Sequence, residues 1–313
     1  MTILVALRYA PVALLLALAA CGPGGDPAAL SPGENSSTTP ATAPTPPATS
    51  TSTATAEATG GREGTGLDGE QATVTEVVDG DTIKITSTVG DERVRLIGIN
   101  AAERGECLAD EATSRLTEMI LGQTVTLESD TTDSDQYGRL LRYVHLGDEL
   151  INTVMVEEGL AIARRYEPDT ARANELDQAQ DAAQQAGLGL WHPEACGPAT
   201  GDRIEIADYV YDADGDDNKN KNGEWVELNN PQSDPIDMTG WVLRDASASH
   251  RYGFPAGFTL QSNATVRVYT GCGTDTSDAL YWCNQGSAIW NNGGDTIFVL
   301  DPAGNTVVSK KYG

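Results

Sequence analysis

Residues 73–85 read TVTEVVDGDTIKI, and apolar side chains alternate with polar ones on both sides of Asp79-Gly80-Asp81. Alternation with a period of two is typical of strands that bury one face, and Asp-Gly pairs favour tight turns. The stretch therefore predicts either a hairpin of two antiparallel strands joined at this turn or a single bent strand. Residues 93–99, RVRLIGI, predict a third strand, with Arg95 and Ile97 on one face.

Helix and strand patterns alternate in the residues that follow. Strands are predicted at 123–128 and 138–146. Apolar residues at helical spacing predict helices at 108–121, 149–158 and 171–187, the last ending at Gly187. Strands followed by interleaved helices indicate a small α+β domain built on an antiparallel barrel, which we place at residues 70–197.

Beyond residue 201 the sequence consists of short strand patterns separated by Gly, Asn, Asp and Pro. Such spacing predicts an all-β sandwich for residues 201–313. We expect its tryptophans to lie in the core, and the loop 212–224 (DADGDDNKNKNGE) to be a solvated acidic loop, because its spacing fails the EF-hand pattern. The six predicted strands are 203–211, 224–229, 240–244, 265–270, 296–300 and 306–310, and the three tryptophans are Trp225, Trp241 and Trp290.

The N-terminus has the features of an export signal. Residues 12–20 are apolar but too short to span a bilayer, and they end at Leu18-Ala19-Ala20-Cys21. This ending resembles the lipobox of prokaryotic lipoproteins, which implies that residues 1–20 are removed and that Cys21 carries a lipid anchor to the membrane. A plain signal peptide is the alternative, and both place the protein outside the cytoplasm. Residues 21–69 are rich in Thr, Ser, Ala, Pro and Gly, which predicts a disordered tether.

The composition is strongly acidic, with a formal net charge of -26 over 313 residues. Only five of the 20 basic residues are lysine. An acidic, lysine-poor surface is typical of a protein adapted to high salt, and an ordinary acidic secreted protein is the alternative, which we weigh equally. A nucleic-acid binder of this charge must build positive potential locally. In an exported chain we expect the four remaining cysteines to form two disulfides, Cys107 with Cys196 and Cys272 with Cys283.

Three separated motifs within residues 72–192 resemble the staphylococcal nuclease family. The resemblance implies an OB-fold barrel of five strands with three helices. It also implies a nuclease that hydrolyses DNA, RNA or both with little sequence preference and leaves 3′-phosphate ends. The motifs are Val78-Asp79-Gly80-Asp81-Thr82-Ile83-Lys84, the run from Val94 to Glu103 (VRLIGINAAE) and Asp135-Gln136-Tyr137-Gly138-Arg139, with the ending Gly187-Leu188-Gly189-Leu190-Trp191.

The same resemblance implies a role for each residue of the site. Arginine presents a planar fork of donors that matches phosphate, so Arg95 and Arg139 are expected to bind the phosphoryl oxygens. Glu103 is expected to act as the general base. The cofactor implied is Ca²⁺, which requires hard oxygen ligands. The implied calcium ligands are Asp81, Asn100 and the carbonyl of Ala101, and the implied supporting residues are Asp79, Thr82 and Tyr137.

Asn100-Ala101-Ala102-Glu103 departs from the usual Asp-Thr-Pro-Glu of the family. Asparagine keeps an oxygen ligand but removes a negative charge, which predicts weaker calcium binding. A binding protein that cuts poorly is therefore an alternative to an active nuclease.

Motifs in the C-terminal part resemble the lamin tail domain, which implies an immunoglobulin-like sandwich whose ligand the sequence leaves open. A surface adhesion lipoprotein, in which this domain matters most, is a further alternative. The motifs are residues 224–230 (EWVELNN), 238–245 (MTGWVLRD), Phe254-Pro255 and 290–296 (WNNGGDT).

Overall fold

The computed structural model describes residues 69–247 and 249–313. The predicted signal peptide, the lipidation of Cys21 and the tether lie outside these residues, apart from Gly69. Within the described ranges, no helix is both long enough and apolar enough to cross a membrane.

Eight strands and three α-helices make up the first folded region. The structure confirms the predicted helices and the predicted hairpin at Asp79-Gly80-Asp81. The strands are β1 (Glu70–Asp79), β2 (Thr82–Ser87), β3 (Gly90–Leu96), β4 (Ile99–Ala101), β5 (Thr124–Glu128), β6 (Leu140–Leu146), β7 (Glu149–Leu150) and β8 (Ala161–Ala163), and the helices are α1 (Ala109–Ile120), α2 (Ile151–Glu157) and α3 (Ala173–Ala186).

Five of these strands close into a barrel. β1 pairs with β2 and β5, β2 pairs with β3, and β5 pairs with β6, all antiparallel. A parallel pairing of β3 with β6 joins the two ends of the sheet. Closure leaves these strands without free edges, and the arrangement is the α+β OB-fold barrel that the sequence predicts.

Helices α1 and α3 cover the barrel and hold the short strands beside it. α1 buries Ala112, Leu116 and Ile120, which lie one helical turn apart on one face. α3 buries Gln180, whose side-chain Oε1 accepts a hydrogen bond from the Ala163 amide at 2.9 Å. This contact fixes β8, which pairs with β4.

The second folded region is an all-β sandwich, as predicted. One sheet has the order β16-β15-β10-β9, the other has the order β13-β12-β17-β18, and β11 pairs with β14. The core between the sheets includes Trp241 and Trp290. The strands are β9 (Glu205–Val210), β10 (Trp225–Asn229), β11 (Ile236–Asp237), β12 (Val242–Arg244), β13 (Arg251–Gly253), β14 (Thr259–Leu260), β15 (Thr265–Tyr269), β16 (Ala279–Tyr281), β17 (Asp295–Leu300) and β18 (Thr306–Tyr312).

The barrel and the sandwich lie in one compact unit and contact each other through an apolar cluster. Ile162 of β8 packs with Phe298 and Leu300 of β17. Trp191 stacks on the Phe298 ring with 5.6 Å between ring centroids. The last residues of the nuclease motif are therefore part of a buried interface with the sandwich.

Both predicted disulfides are present. Cys107 bonds to Cys196 and closes a loop of 89 residues, and Cys272 bonds to Cys283 and closes a loop of 11. The Cys196 amide also donates to the buried Asn305 Oδ1 of the sandwich at 2.8 Å. The first disulfide therefore lies next to the interface.

The structure corrects three details of the sequence analysis. The strand predicted at 93–99 ends at Leu96, because Gly98 adopts a φ of 75° that turns the chain into β4. Trp225 is half-buried rather than in the core, and the Arg267 guanidinium lies 4.1 Å from its ring centroid. Strands of two or three residues, such as β8 and β13, were not predicted.

The loop 212–224 is mostly exposed, as predicted, but Ala213 within it and Glu224 at its end are buried. Glu224 Oε2 accepts hydrogen bonds from Thr270 Oγ1 and the Ile289 amide, whereas Oε1 has no partner among the described residues. Burial, partly offset by these two hydrogen bonds, raises the pKa of Glu224 to about 7.

Candidate active site

The turn between β1 and β2 brings Asp81 into the centre of the site. The Asp81 amide donates to Asp79 Oδ1 at 3.2 Å, a local bond that is typical of turns led by aspartate. A Cβ at Gly80 would come within 2.6 Å of Ala101 Cβ and 2.7 Å of Ala112 Cβ. Only glycine therefore allows the turn to approach β4 and α1 this closely.

Asp81 joins the turn to β3 and β4. Its Oδ2 lies 2.9 Å from Arg95 Nη2 and accepts a hydrogen bond from the Ala101 amide at 2.9 Å. Its Oδ1 accepts a hydrogen bond from Thr82 Oγ1 at 3.1 Å. Burial raises the pKa of Asp81 to about 6, with the Arg95 charge lowering it and Asp79 raising it again.

Arg95 extends from β3 and bonds Asn100 as well as Asp81. Arg95 Nη2 donates to Asn100 Oδ1 at 3.2 Å, and its Nη1 donates to the Leu96 carbonyl at 2.8 Å. Asn100 is buried in β4. The guanidinium is thus fixed by three oxygen acceptors, and its donors are oriented before any phosphate arrives.

Arg139 is held by the turn that precedes β6. Asp135 Oδ1 accepts hydrogen bonds from the amides of Tyr137 and Arg139, and Asp135 Oδ2 accepts one from Arg139 Nε at 2.7 Å. Burial raises the pKa of Asp135, but these bonds outweigh it and the pKa lies below its ordinary value. Arg139 Nη1 reaches Thr82 Oγ1 at 3.5 Å, so both arginines lie beside the start of β2.

A cleft of about 710 Å³ lies in front of the two arginines. Tyr137 and Tyr166 border it with side chains that are 72% and 60% exposed. The Arg164 guanidinium lies 5.4 Å from the Tyr166 ring centroid. Exposed aromatic rings beside arginines are the surface on which bases of single-stranded nucleic acid stack.

Glu103 lies on the exposed turn between β4 and α1, three residues after Asn100. Its amide donates to Glu106 Oε2 at 3.1 Å, and its carbonyl accepts a hydrogen bond from the Glu106 amide at 2.8 Å. Its carboxylate has no protein partner among the described residues, so it is accessible to water. Accessibility to water is what a general base requires.

Three of the residues predicted to bind or support calcium lie close together. Asp79, Asp81 and Asn100 offer hard oxygen atoms on neighbouring segments, and the raised pKa of Asp81 reflects burial next to a second carboxylate. This chemistry fits a divalent cation. No group of three or more His, Cys, Asp and Glu in the described ranges has the arrangement of a metal site, and the third side chain here, Asn100, is an amide.

The structure brings Arg95, Arg139, Asp81, Thr82 and Asn100 together and places Glu103 on the adjoining turn. The sequence analysis did not identify the second wall of the cleft, which includes Arg164, Tyr166 and Asp169. The signal available was the run Arg164-Arg165-Tyr166 directly after a short apolar stretch. It also did not identify Ser249 of the sandwich at the edge of the same cleft.

Comparison with known proteins identifies the family of each of the two folded regions. Residues 93–193 match the family model described as staphylococcal nuclease homologue, and residues 198–313 match the lamin tail domain. The thermonuclease of Staphylococcus intermedius is 40% identical over 136 residues, which are 42% of this chain and 81% of that protein.

Two further relatives have names that describe nucleases. The micrococcal nuclease of Shigella flexneri is 34% identical over 127 residues, which are 38% of this chain and 71% of that protein. The SPbeta prophage-derived endonuclease YokF of Bacillus subtilis is 32% identical over 127 residues, which are 38% of this chain and 43% of that protein. The chain belongs to the staphylococcal nuclease family, as an endonuclease domain followed by a lamin tail domain.

Proposed function

We propose that the protein is an exported, membrane-anchored, calcium-dependent nuclease that hydrolyses DNA, RNA or both with little sequence preference. The observation that carries this proposal is the pair Arg95 and Arg139, both fixed beside the start of β2 and both lining one cleft. The exposed rings of Tyr137 and Tyr166 border the same cleft, and stacking on an aromatic ring is open to every base, which supports little sequence preference.

Arg95 and Arg139 bind the oxygens of the scissile phosphodiester and stabilise the charge that develops on them in the transition state. Because Asp135 already orients the Arg139 guanidinium, that side chain needs little reorganisation when substrate binds. Glu103 takes a proton from the attacking water. The water oxygen forms a bond to phosphorus as the bond from phosphorus to the 5′ oxygen breaks. The 5′ oxygen takes a proton from solvent and leaves as a hydroxyl, so the products are a 3′-phosphate end and a 5′-hydroxyl end.

Asp81, Asn100 and the Ala101 carbonyl would hold calcium, with Asp79 close by. The ion, when bound, supplies positive charge next to the phosphoryl oxygens. The buried Asp81 carboxylate supports this assignment, because burial disfavours its negative charge and raises its pKa, and a bound cation would stabilise that charge.

The proposal of export and membrane anchoring is based on the N-terminal sequence, in which the apolar run of residues 12–20 is followed by Cys21. The two disulfides support an oxidising compartment. Globomycin inhibition of the lipoprotein signal peptidase, or Cys21→Ser, is expected to release the protein from the membrane fraction.

The first test is hydrolysis of single-stranded DNA with calcium or with a chelator, for the wild type and for Glu103→Gln. We expect calcium-dependent cleavage, and a loss of kcat on the order of 100-fold or more in the variant, because a general base contributes 10²–10⁴-fold. Glu111→Gln, an exposed residue in the first turn of α1, removes the same charge and is the matched control. Binding without cleavage in the wild type would instead favour the weakly catalytic binding protein.

A further inference from the structure

A single carboxylate connects the sandwich to the turn that carries Glu103. Glu106 Oε2 accepts a hydrogen bond from the Glu103 amide at 3.1 Å, and Glu106 Oε1 lies 2.6 Å from Arg251 Nη1. Arg251 belongs to β13, in the lamin tail domain. The two residues of this ion pair are 145 positions apart in the sequence and belong to different domains, so the contact joins the two domains.

The turn has few other restraints. Glu103, Arg104 and Gly105 are exposed, and Gly105 adopts a φ of 88° with nothing within 4 Å of where a Cβ would be. The helix that follows has Leu108 at its N-cap position, with no side-chain hydrogen bond to the first turn. The position of Glu103 therefore depends on Glu106 and on the disulfide at Cys107.

The other end of that disulfide is also held by the lamin tail domain. Cys196 donates its amide hydrogen to Asn305 Oδ1 at 2.8 Å, and Asn305 Nδ2 donates to the Gly197 carbonyl at 3.2 Å. Asn305 is buried and bonded to Asp301. Both restraints on the Glu103 turn thus end on the same neighbouring domain.

The lamin tail domain also supports the strand that leads into the turn. β4 pairs with β8 in the register Asn100 to Ile162, and Ile162 packs on Phe298. Two residues before Arg251, Ser249 reaches the edge of the cleft. The sandwich therefore contacts the site at three places: β8, which pairs with β4, the Glu103 turn through Glu106, and the edge of the cleft.

We propose that Arg251 is a positioning residue of the nuclease site, which acts through the Glu106 carboxylate to hold the Glu103 turn in place for catalysis. This inference rests on the proposed function of Glu103. Effective general-base catalysis depends on placement to within a fraction of an ångström. An ion pair as exposed as this one adds little to global stability. Loss of Arg251 should consequently change catalysis more than it changes folding.

The test compares Arg251→Ala, Arg251→Lys and Lys311→Ala in the full chain, with single-stranded DNA and calcium. Lys311 is the matched control, because it forms another ion pair between the domains, 3.1 Å from Asp177, away from the Glu103 turn. We expect Arg251→Ala to lower kcat by about 3- to 10-fold with KM and the melting temperature nearly unchanged. Arg251→Lys should retain most of the activity, and Lys311→Ala should retain all of it.

A double-mutant cycle tests whether the effect passes through Glu106. Arg251→Ala should have no further effect on kcat in a Glu106→Ala background, because the connecting carboxylate is already absent. Independent losses in the two variants that multiply in the double variant would overturn the proposal. So would an equal loss of kcat in Lys311→Ala.

Hydrogen exchange separates this inference from the proposed function. In Arg251→Ala, the amides of residues 102–108 should exchange faster than in the wild type, and in Lys311→Ala they should not. This measurement needs no activity. Unchanged exchange in Arg251→Ala would overturn the positioning role, whereas a wild type that cuts nothing would overturn the proposed function of Glu103.

Discussion

At the scale of single residues, Asn100 stands where the family resemblance implies an aspartate. Its buried amide oxygen accepts a hydrogen bond from Arg95 and lies on β4 beside Asp81. An amide offers calcium an oxygen without a charge. The affinity for calcium is consequently the property that this residue should control.

We expect Asn100→Asp to bind calcium about tenfold or more tightly, because an added carboxylate raises the charge of the ligand set. Without calcium the melting temperature should change less, since Arg95 Nη2, 3.2 Å from the Oδ1 atom of Asn100, would pair with the new carboxylate and offset its burial near Asp79 and Asp81. Melting temperatures across a calcium titration measure both effects. Asn174→Asp, exposed on α3, is the control, and an equal response to calcium in both variants would contradict the assignment.

Glu224 makes the stability of the protein depend on pH. Its folded-state pKa of about 7 exceeds its ordinary value of 4.5, so folding favours the protonated form. The stability from the protonated carboxyl is complete below the unfolded pKa and is lost as pH rises through about 7.

We expect Glu224→Gln to raise the free energy of unfolding, relative to wild type, by on the order of 2–3 kcal/mol at pH 8 but little at pH 4.5. Denaturant unfolding at the two pH values measures the difference. Glu205→Gln, on the surface of β9, serves as control. An equal change at both pH values would mean that the hydrogen bonds of Glu224, rather than its charge, determine the result.

At the scale of elements, the two disulfides differ in the length of chain that they close. Loss of the disulfide that closes 89 residues, in Cys107→Ser/Cys196→Ser, should lower the free energy of unfolding by about 5 kcal/mol, because the unfolded chain regains the entropy of the open loop. Loss of the 11-residue loop in Cys272→Ser/Cys283→Ser should cost about 3 kcal/mol. Guanidinium unfolding of both double variants measures the ranking. A reversed ranking would mean that contacts maintained by the Cys272–Cys283 bond outweigh the difference in loop entropy.

Long periodic elements could be predicted from the sequence, because their pattern repeats over several turns or alternations. Helix α3 ends at Gly187 as its sequence indicates, since glycine takes the left-handed conformation without strain. β8 could not be predicted in this way, because three buried residues show no alternation. Its position depends on Gln180, which is distant in sequence and shows no local signal.

The site also combines features with a local sequence signal and features that depend on residues distant in sequence. Asp79-Gly80-Asp81 is a turn that its own residues predict, whereas Asp135 to Arg139 is identified only through the resemblance to the nuclease family. The contact of Arg251 with Glu106 joins two domains, and neither residue lies in a motif of the nuclease family. Contacts of this kind require the packed structure, because only the interface brings the two side chains together.

At the scale of the whole molecule, the net charge of -26 opposes the approach of a polyanion. In residues 72–192 acidic side chains also outnumber basic ones, so attraction is confined to the arginines of the cleft. At molar salt the Debye length falls to about 3 Å, which screens the distant repulsion but affects close contacts less.

We expect kcat/KM for a long single-stranded DNA to rise between low and molar salt, in contrast to the fall that counterion release produces for basic nucleases. A dinucleotide substrate, which carries little charge, should show a flatter dependence and serves as the control. A steep fall with salt for the long substrate would mean that local phosphate contacts outweigh the charge of the whole molecule.

The stack of Trp191 on Phe298 has a consequence for solubility. Leu190, Trp191 and Ile162 pack against the apolar residues of β17, so a chain cut after Gly197 would present them to water as one patch. Contiguous apolar surface of this kind promotes self-association. The lamin tail domain covers this apolar surface in the full chain, so we expect the isolated barrel to aggregate even if its cleft remains intact.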